Sequence, residues 1–201
     1  MNVYVESNFV LELALSQEEA EPALEILELS KKEEINLFIP AFSLAEPFWT
    51  INRRGKERVE SLNILIREQR NLSRSVKHSE RARLVSGIIE EIENIVLEEQ
   101  EELEDVVWDL TQRITVLDLG NMVLTRARDI MVQLDLGMQD AIVLASILEH
   151  LEKIKTQTDS VFISRDRKDF GNPKITQRLI ELDCAFVPNF KDGLNYINIR
   201  V

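Results

Sequence analysis

Short apolar runs alternate along this chain with longer stretches in which apolar residues recur every three or four positions. Residues 2–5, Leu37-Phe38-Ile39-Pro40, 114–119, Val161-Phe162-Ile163 and Cys184-Ala185-Phe186-Val187 are brief, largely apolar and rich in β-branched or aromatic side chains. They predict buried strands, and 197–201 predicts a last one. Helical spacing predicts an apolar segment from Phe9 to about Leu15. A second helix is expected after Ser16, its N-cap, presenting Ala23, Ile26 and Leu27 and ending near Lys31-Lys32. A third covers 121–134, with Met122, Leu124, Ala127, Ile130, Met131 and Leu134 on its apolar face and Gly137 as its stop. Met138–Leu148 is apolar almost all round and predicts a central, buried helix, and Thr176–Leu182 a short later one. Strands alternating with helices over short connections predict an α/β fold, a three-layer α/β/α sandwich around a parallel sheet.

The pattern changes between residues 53 and 113. This stretch is helical with few turn signals, so the chain reads as one domain over 1–201 carrying a charged helical insertion at about 53–113. Arg53, Arg54, Lys56, Arg58, Arg67, Arg70, Arg74, Lys77, Arg81 and Arg83 face only Glu57, Glu60, Glu68 and Glu80, whereas 84–110 contains no Lys or Arg and many acids. An antiparallel helical hairpin with mutually attracting arms is expected; the alternative is a dedicated RNA-binding arm, and the two are compatible if only part of the basic face is used. Trp49 and Trp108, at the two bases of the insertion, are expected to anchor core.

Composition narrows the classes. A net charge of −12 excludes a protein that coats nucleic acid generally, though not one that takes nucleic acid as substrate. Cys184 stands alone in an apolar run, so it reads as a core residue and no disulfide framework is available. No run approaches the length of a membrane span and no basic-then-apolar leader opens the chain, so no membrane and a cytoplasmic setting are expected. His78 and His150 are the only histidines and neither neighbours a candidate nucleophile, which leaves a Ser-His-Asp mechanism unsupported.

Acidic residues recur at element ends. Glu6 follows the first strand, Glu46 the second, Asp140 opens the central helix, and Asp166 follows the strand 161–163 in Ser164-Arg165-Asp166-Arg167-Lys168-Asp169. Structural accounts exist for some of them. Ser43 and Glu46 have capping-box spacing with Pro47 in the first turn; Asp140 suits a helix dipole; Ser7 or Asn8 suits a cap. Glu6 has no such account and requires a partner. In open α/β sheets ligands bind beyond the carboxyl ends of the strands, where all four carboxylates would converge. Two unit charges about 5 Å apart repel by roughly 3 kcal/mol at an effective dielectric near 20. A hard divalent cation relieves that repulsion and can activate water against a phosphodiester.

Four pieces, Val5-Glu6-Ser7-Asn8, Ile39-Pro40…Leu44-Ala45-Glu46, Asp140-Ala141-Ile142-Val143-Leu144-Ala145 and Ile163-Ser164-Arg165-Asp166-Arg167-Lys168-Asp169-Phe170, together resemble the PIN-domain family, in particular the ribonuclease toxins of toxin–antitoxin pairs. The resemblance implies Mg²⁺- or Mn²⁺-dependent cleavage of RNA, an antitoxin protein as partner, and a homodimer. By motif position Glu46, Asp140 and Asp166 would hold metal together with Glu6; Asp169 would assist; Asn8 and Ser164 would position ligands or water. Family members usually carry Asp where this chain has Glu6, and the compact toxins lack the insertion. Three readings stay open: a metal-dependent ribonuclease, a catalytically silent PIN-like binding module, and a scaffold built on the insertion.

Overall fold

The structure is a computed structural model and describes residues 1–154 and 159–201. It divides into two compact units, one formed by Met1–Pro47 with Asp105–Val201 and the other by Phe48–Glu104.

In the first unit, five parallel strands, β1 (Asn2–Tyr4), β2 (Asn36–Pro40), β3 (Thr115–Leu117), β4 (Ser160–Ile163) and β5 (Cys184–Val187), line up in the order β3-β2-β1-β4-β5. The chain builds outward from β1 on one side and then returns to pair β4 with β1 on the other, Tyr4 opposite Phe162. The switch point therefore falls between β1 and β4, where such sheets leave a crevice at the strand ends.

Alternating side chains send the two faces of the sheet into different helical layers. Tyr4 and Phe162 join the core made by α5 (Asn121–Leu134) and α6 (Met138–Ile154). Ile163 faces α9 (Phe190–Asn198): a Cβ on Gly193 would come within 2.5 Å of its Cδ1, so only glycine permits that approach. Packed with α9 is α2 (Ala20–Lys31), with α1 (Ser7–Ala14) beside it. The buried α6 and the three-layer sandwich are as the hydrophobic pattern predicts. Cys184 is core as expected, its thiol pushed up to about 12 by burial.

Several expectations are corrected. Residues 197–201 form no strand; Phe190, Gly193 and Ile197 share the buried stripe of α9 instead. Ser16 sits at φ 46° before the helix and caps nothing, since α2 starts at Ala20 behind Glu19. Asp135, at φ 55°, closes α5 in place of Gly137. Met122 and Leu124 point to solvent, and Val123 takes the buried position. Trp49 and Trp108 anchor nothing: they are 80% and 70% exposed.

In the second unit, α3 (Ala41–Ser73) and α4 (Ser79–Arg113) supply two antiparallel helical arms joined through a 3₁₀ turn at Val76–His78. Their facing residues fall at 51, 55, 58, 62, 65, 69 and 72 on one arm and 82, 85, 89, 92, 96, 99 and 103 on the other, the alternating spacing of a coiled-coil seam. Ile51, Leu62, Ala82 and Leu103 are its buried apolar members. Gly55 lets Val96 approach. Gln69 donates to Ser86 at 3.1 Å, and Arg58 grips Glu99 through both guanidinium nitrogens. Among the described residues one ion pair, Arg58–Glu99, joins the basic arm to the acidic one, in a seam that holds polar as well as apolar pairs.

Candidate active site

Glu6 follows β1 directly and is the N-cap of α1. Its backbone is extended (φ −134°, ψ −167°), and Oε2 accepts the Asn8 N–H at 2.9 Å. A cap was expected from Ser7 or Asn8; the longer acid fills it by folding back on its own backbone. The residue is 5% exposed, and among the described residues no donor meets Oε1 at full hydrogen-bond geometry, although the Ser164 hydroxyl lies close enough to favour the carboxylate. Burial raises its pKa to about 7, with Asn8 and Ser164 pulling it down and Glu46 pushing it further up. An incompletely satisfied oxygen on a buried carboxyl is what a proton or a cation would complete.

Glu46 leaves the end of β2 on α3. Because that helix already starts at Ala41, Ser43 and Glu46 both lie inside it and no capping box forms. Pro47, for the same reason, sits within the helix rather than in its first turn, where it cannot donate to the Ser43 carbonyl. Ser43 is fully buried with its hydroxyl unpartnered. Ser7 donates its hydroxyl to Glu46 Oε2, so the residue read as a cap orients a site carboxylate.

Asp140 is in the first turn of α6. Its Oδ2 lies 3.1 Å from where a Cβ on Gly137 would stand. Gly137 thus makes room for this carboxylate rather than ending a helix. The Asp140 pKa rises to about 6, first through burial and then through Asp169, Asp166 and Glu46. Asp140 therefore lies within electrostatic reach of Glu46 on α3 and of Asp166 and Asp169 after β4, and Glu6 within reach of Glu46.

After β4 the chain does not enter an open loop. Asp166 caps the single-turn α7 (Arg167–Phe170), Oδ1 accepting the Asp169 N–H at 3.0 Å. Asp166 in turn donates its N–H to Ser164 Oγ at 3.0 Å, and Ser164 is fully buried. Between them, Arg165 turns the other way, to buried Glu12 and to Glu18. The sequence offers Ser7 only as a cap, not as a partner of Glu46, and it does not mark the Arg165–Glu12 pair at all. Alternation along the helix N-terminus signals nothing about Ser7, and a separation of 153 positions hides Glu12 from Arg165.

Among the described residues no three His, Cys, Asp or Glu side chains converge as a ready-made cage. The donors are all oxygens, as a hard cation prefers, and Mg²⁺ commonly takes only one or two protein carboxylates and completes its shell with water and substrate phosphate. The residues present fit such an ion.

A family model for the PIN domain matches residues 3–170. The chain belongs to the PIN-domain family. All seven residues named from motif position, Glu6, Asn8, Glu46, Asp140, Ser164, Asp166 and Asp169, lie within the matched span of this PIN domain. It is also similar to a solved structure described as VapBC2 from Rickettsia felis bound to a DNA fragment from their promoter, with 13% identity, a TM-score of 0.47, and coverage of 93% of this chain and 98% of that one. No curated protein matches it. No single helix among the described residues of the PIN domain is long and apolar enough to cross a membrane.

Proposed function

We propose that this PIN domain is a metal-dependent endoribonuclease, the toxin of a toxin–antitoxin pair, with RNA as substrate, an antitoxin protein as partner and a homodimer as its assembly. The observation that carries the reading is that Asp140, at the start of α6, is within electrostatic reach of Asp166, Asp169 and Glu46, beside the buried carboxyl of Glu6. Mg²⁺ or Mn²⁺, when bound, would supply an activated water and offset charge developing on the phosphodiester. Glu6, Glu46, Asp140 and Asp166 are the ligands by motif position, one or two of them binding the ion directly and the others through its waters. Ser7 keeps the Glu46 carboxylate aimed; Ser164 fixes the Asp166 backbone; Asp169 and Asn8 orient water and substrate by hydrogen bonds. Glu6 and Asp140, with raised pKa values, must release protons for the ion to bind.

Glu6 itself favours a second reading, a catalytically silent RNA- or protein-binding module. Its carboxylate is engaged as a helix cap, and its pKa near 7 leaves it largely protonated in mildly acidic solution.

Cleavage of a mixed pool of single-stranded and hairpin RNAs, in Mn²⁺, Mg²⁺ or EDTA, separates the two. Metal-dependent cutting that disappears in Asp140→Asn supports the nuclease. An inert wild type that gains cutting in Glu6→Asp supports the silent module, because aspartate can cap the same helix while withdrawing its carboxylate by one methylene. Inert proteins throughout would sink the nuclease reading for these substrates.

A further inference from the structure

The second compact unit carries its charge unevenly. Its ion pairs are Arg53–Glu57 and Arg58–Glu99, both toward the open end of the hairpin. Toward the closed end, residues 67–83 hold Arg67, Arg70, Arg74, Lys77, Arg81 and Arg83 against only Glu68 and Glu80. All six cations are exposed, and among the described residues none of them joins an ion pair. Spacing makes the imbalance worse. Arg67 and Arg70 are three positions apart on one face of α3, and Arg74 follows Arg70 by four just past the end of that helix. Like charges so placed destabilise a helix. The acids that would relieve them in an ordinary coiled coil are displaced to 90–104, and Glu99 among these already holds Arg58.

We propose that this cationic closed end of the hairpin, residues 67–83, is a second binding site, for the phosphate backbone of RNA. Five of the six cations are arginines, whose planar fork suits phosphate. Exposed Asn71, Ser73 and Ser79 add neutral hydrogen-bonding groups among them. In a chain of net charge −12 the surrounding acids repel a polyanion and confine its contact to this end. The choice of RNA among polyanions rests on the nuclease reading; the existence of the site does not. A second copy of the chain, offering its acidic 90–104 segment, is the competing occupant.

The test uses full-length Asp140→Asn protein in EDTA, which keeps cleavage out of the measurement, and a fluorescein-labelled 20-nucleotide single-stranded RNA read by anisotropy from 50 to 200 mM salt. Arg70→Glu/Arg74→Glu/Lys77→Glu is expected to weaken binding at least tenfold. Its log–log salt slope should be shallower by about 2, since each lost phosphate contact on a single strand removes roughly 0.7. The triple Gln variant should fall between. Circular dichroism confirms that α3 and α4 remain folded, and if the Glu variant unfolds, the Gln variant decides. Unchanged binding in the folded variants, or no binding by the parent protein, would overturn the proposal. So would a dimer-to-monomer change in sedimentation with RNA affinity intact, which would make this end a subunit interface. Binding lost at the tip while wild type fails to cut any RNA would leave this site standing and remove the nuclease; cutting with tip-independent binding would do the reverse.

Discussion

Arg165 and Glu12 form an ion pair that reaches from the turn after β4 to the middle of α1, with Glu12 only 1% exposed. Arg165 lies between Ser164 and Asp166, and α1 begins at the residue after Glu6. The pair ties together the segments that follow the two strands on either side of the switch point. Glu12 is held further by the Glu19 N–H at 2.8 Å.

Arg165→Ala would leave a buried carboxylate without its cation. Removing one partner of a buried pair is expected to destabilise by about 3 kcal/mol. Urea unfolding should show that loss, with Arg165→Lys intermediate and Arg165→Ala/Glu12→Leu recovering much of it. Equal stability of wild type and Arg165→Ala would mean the pair is open in solution.

Asp140→Asn should leave the metal-free protein at least as stable as wild type, because it removes a charge that burial and three acidic neighbours oppose. Added Mn²⁺ at millimolar concentration should raise the melting temperature of wild type, by the ordinary linkage of ligand to folding, and leave that of Asp140→Asn nearly unmoved. A wild-type melt indifferent to Mn²⁺ would contradict the carboxylate site.

The same groups set a pH dependence in EDTA. Glu6 moves from 4.5 to about 7 on folding and Asp140 from 3.8 to about 6. Raised carboxyl pKa values mean that the folded state binds protons more tightly, so their contribution is complete below the unfolded values and disappears as pH rises through about 6 to 7. Between pH 5.5 and 7.5, wild type should lose stability relative to Glu6→Gln. Parallel curves for the two proteins would show that Glu6 does not titrate in this window. Mn²⁺ affinity should move oppositely, weakening as pH falls through the same range.

Both tryptophans should be open to acrylamide, Trp49 and Trp108 being 80% and 70% exposed, and the emission maximum should lie at the long-wavelength, water-exposed end. Resistance to quenching would place one or both under another surface, such as a second protomer.

The strands were legible because a parallel sheet covered on both faces needs apolar side chains at successive positions, and Val161-Phe162-Ile163 has them. The helix α6 was legible because nearly every one of its sides is buried. What stayed hidden depended on company supplied by distant residues. Ile197–Val201 has strand composition, but Gly193 and Phe190 upstream make Ile197 part of a helical stripe. A tryptophan near a helix boundary carries the propensity of a core anchor, and nothing local says that its side chain points outward. At the candidate site the acids could be picked out by their place at element ends, whereas Ser7, which donates to Glu46, and Gly137, which leaves space beside the Asp140 carboxylate, became meaningful only once the chain had folded. Glu6 was read as lacking a structural role, yet it caps α1; a glutamate is an uncommon cap and only its extended backbone reveals it.

The strand order has a consequence for how the protein is made. Tyr4 of β1 leaves the ribosome well before Phe162, its partner across the switch point. At about 5–20 residues per second, roughly ten seconds or more separate them, and pairings so remote in sequence are intrinsically slow to form. The cleft between the two strands therefore does not exist on the nascent chain. Any activity it supports begins only once β4 has been made and has reached β1.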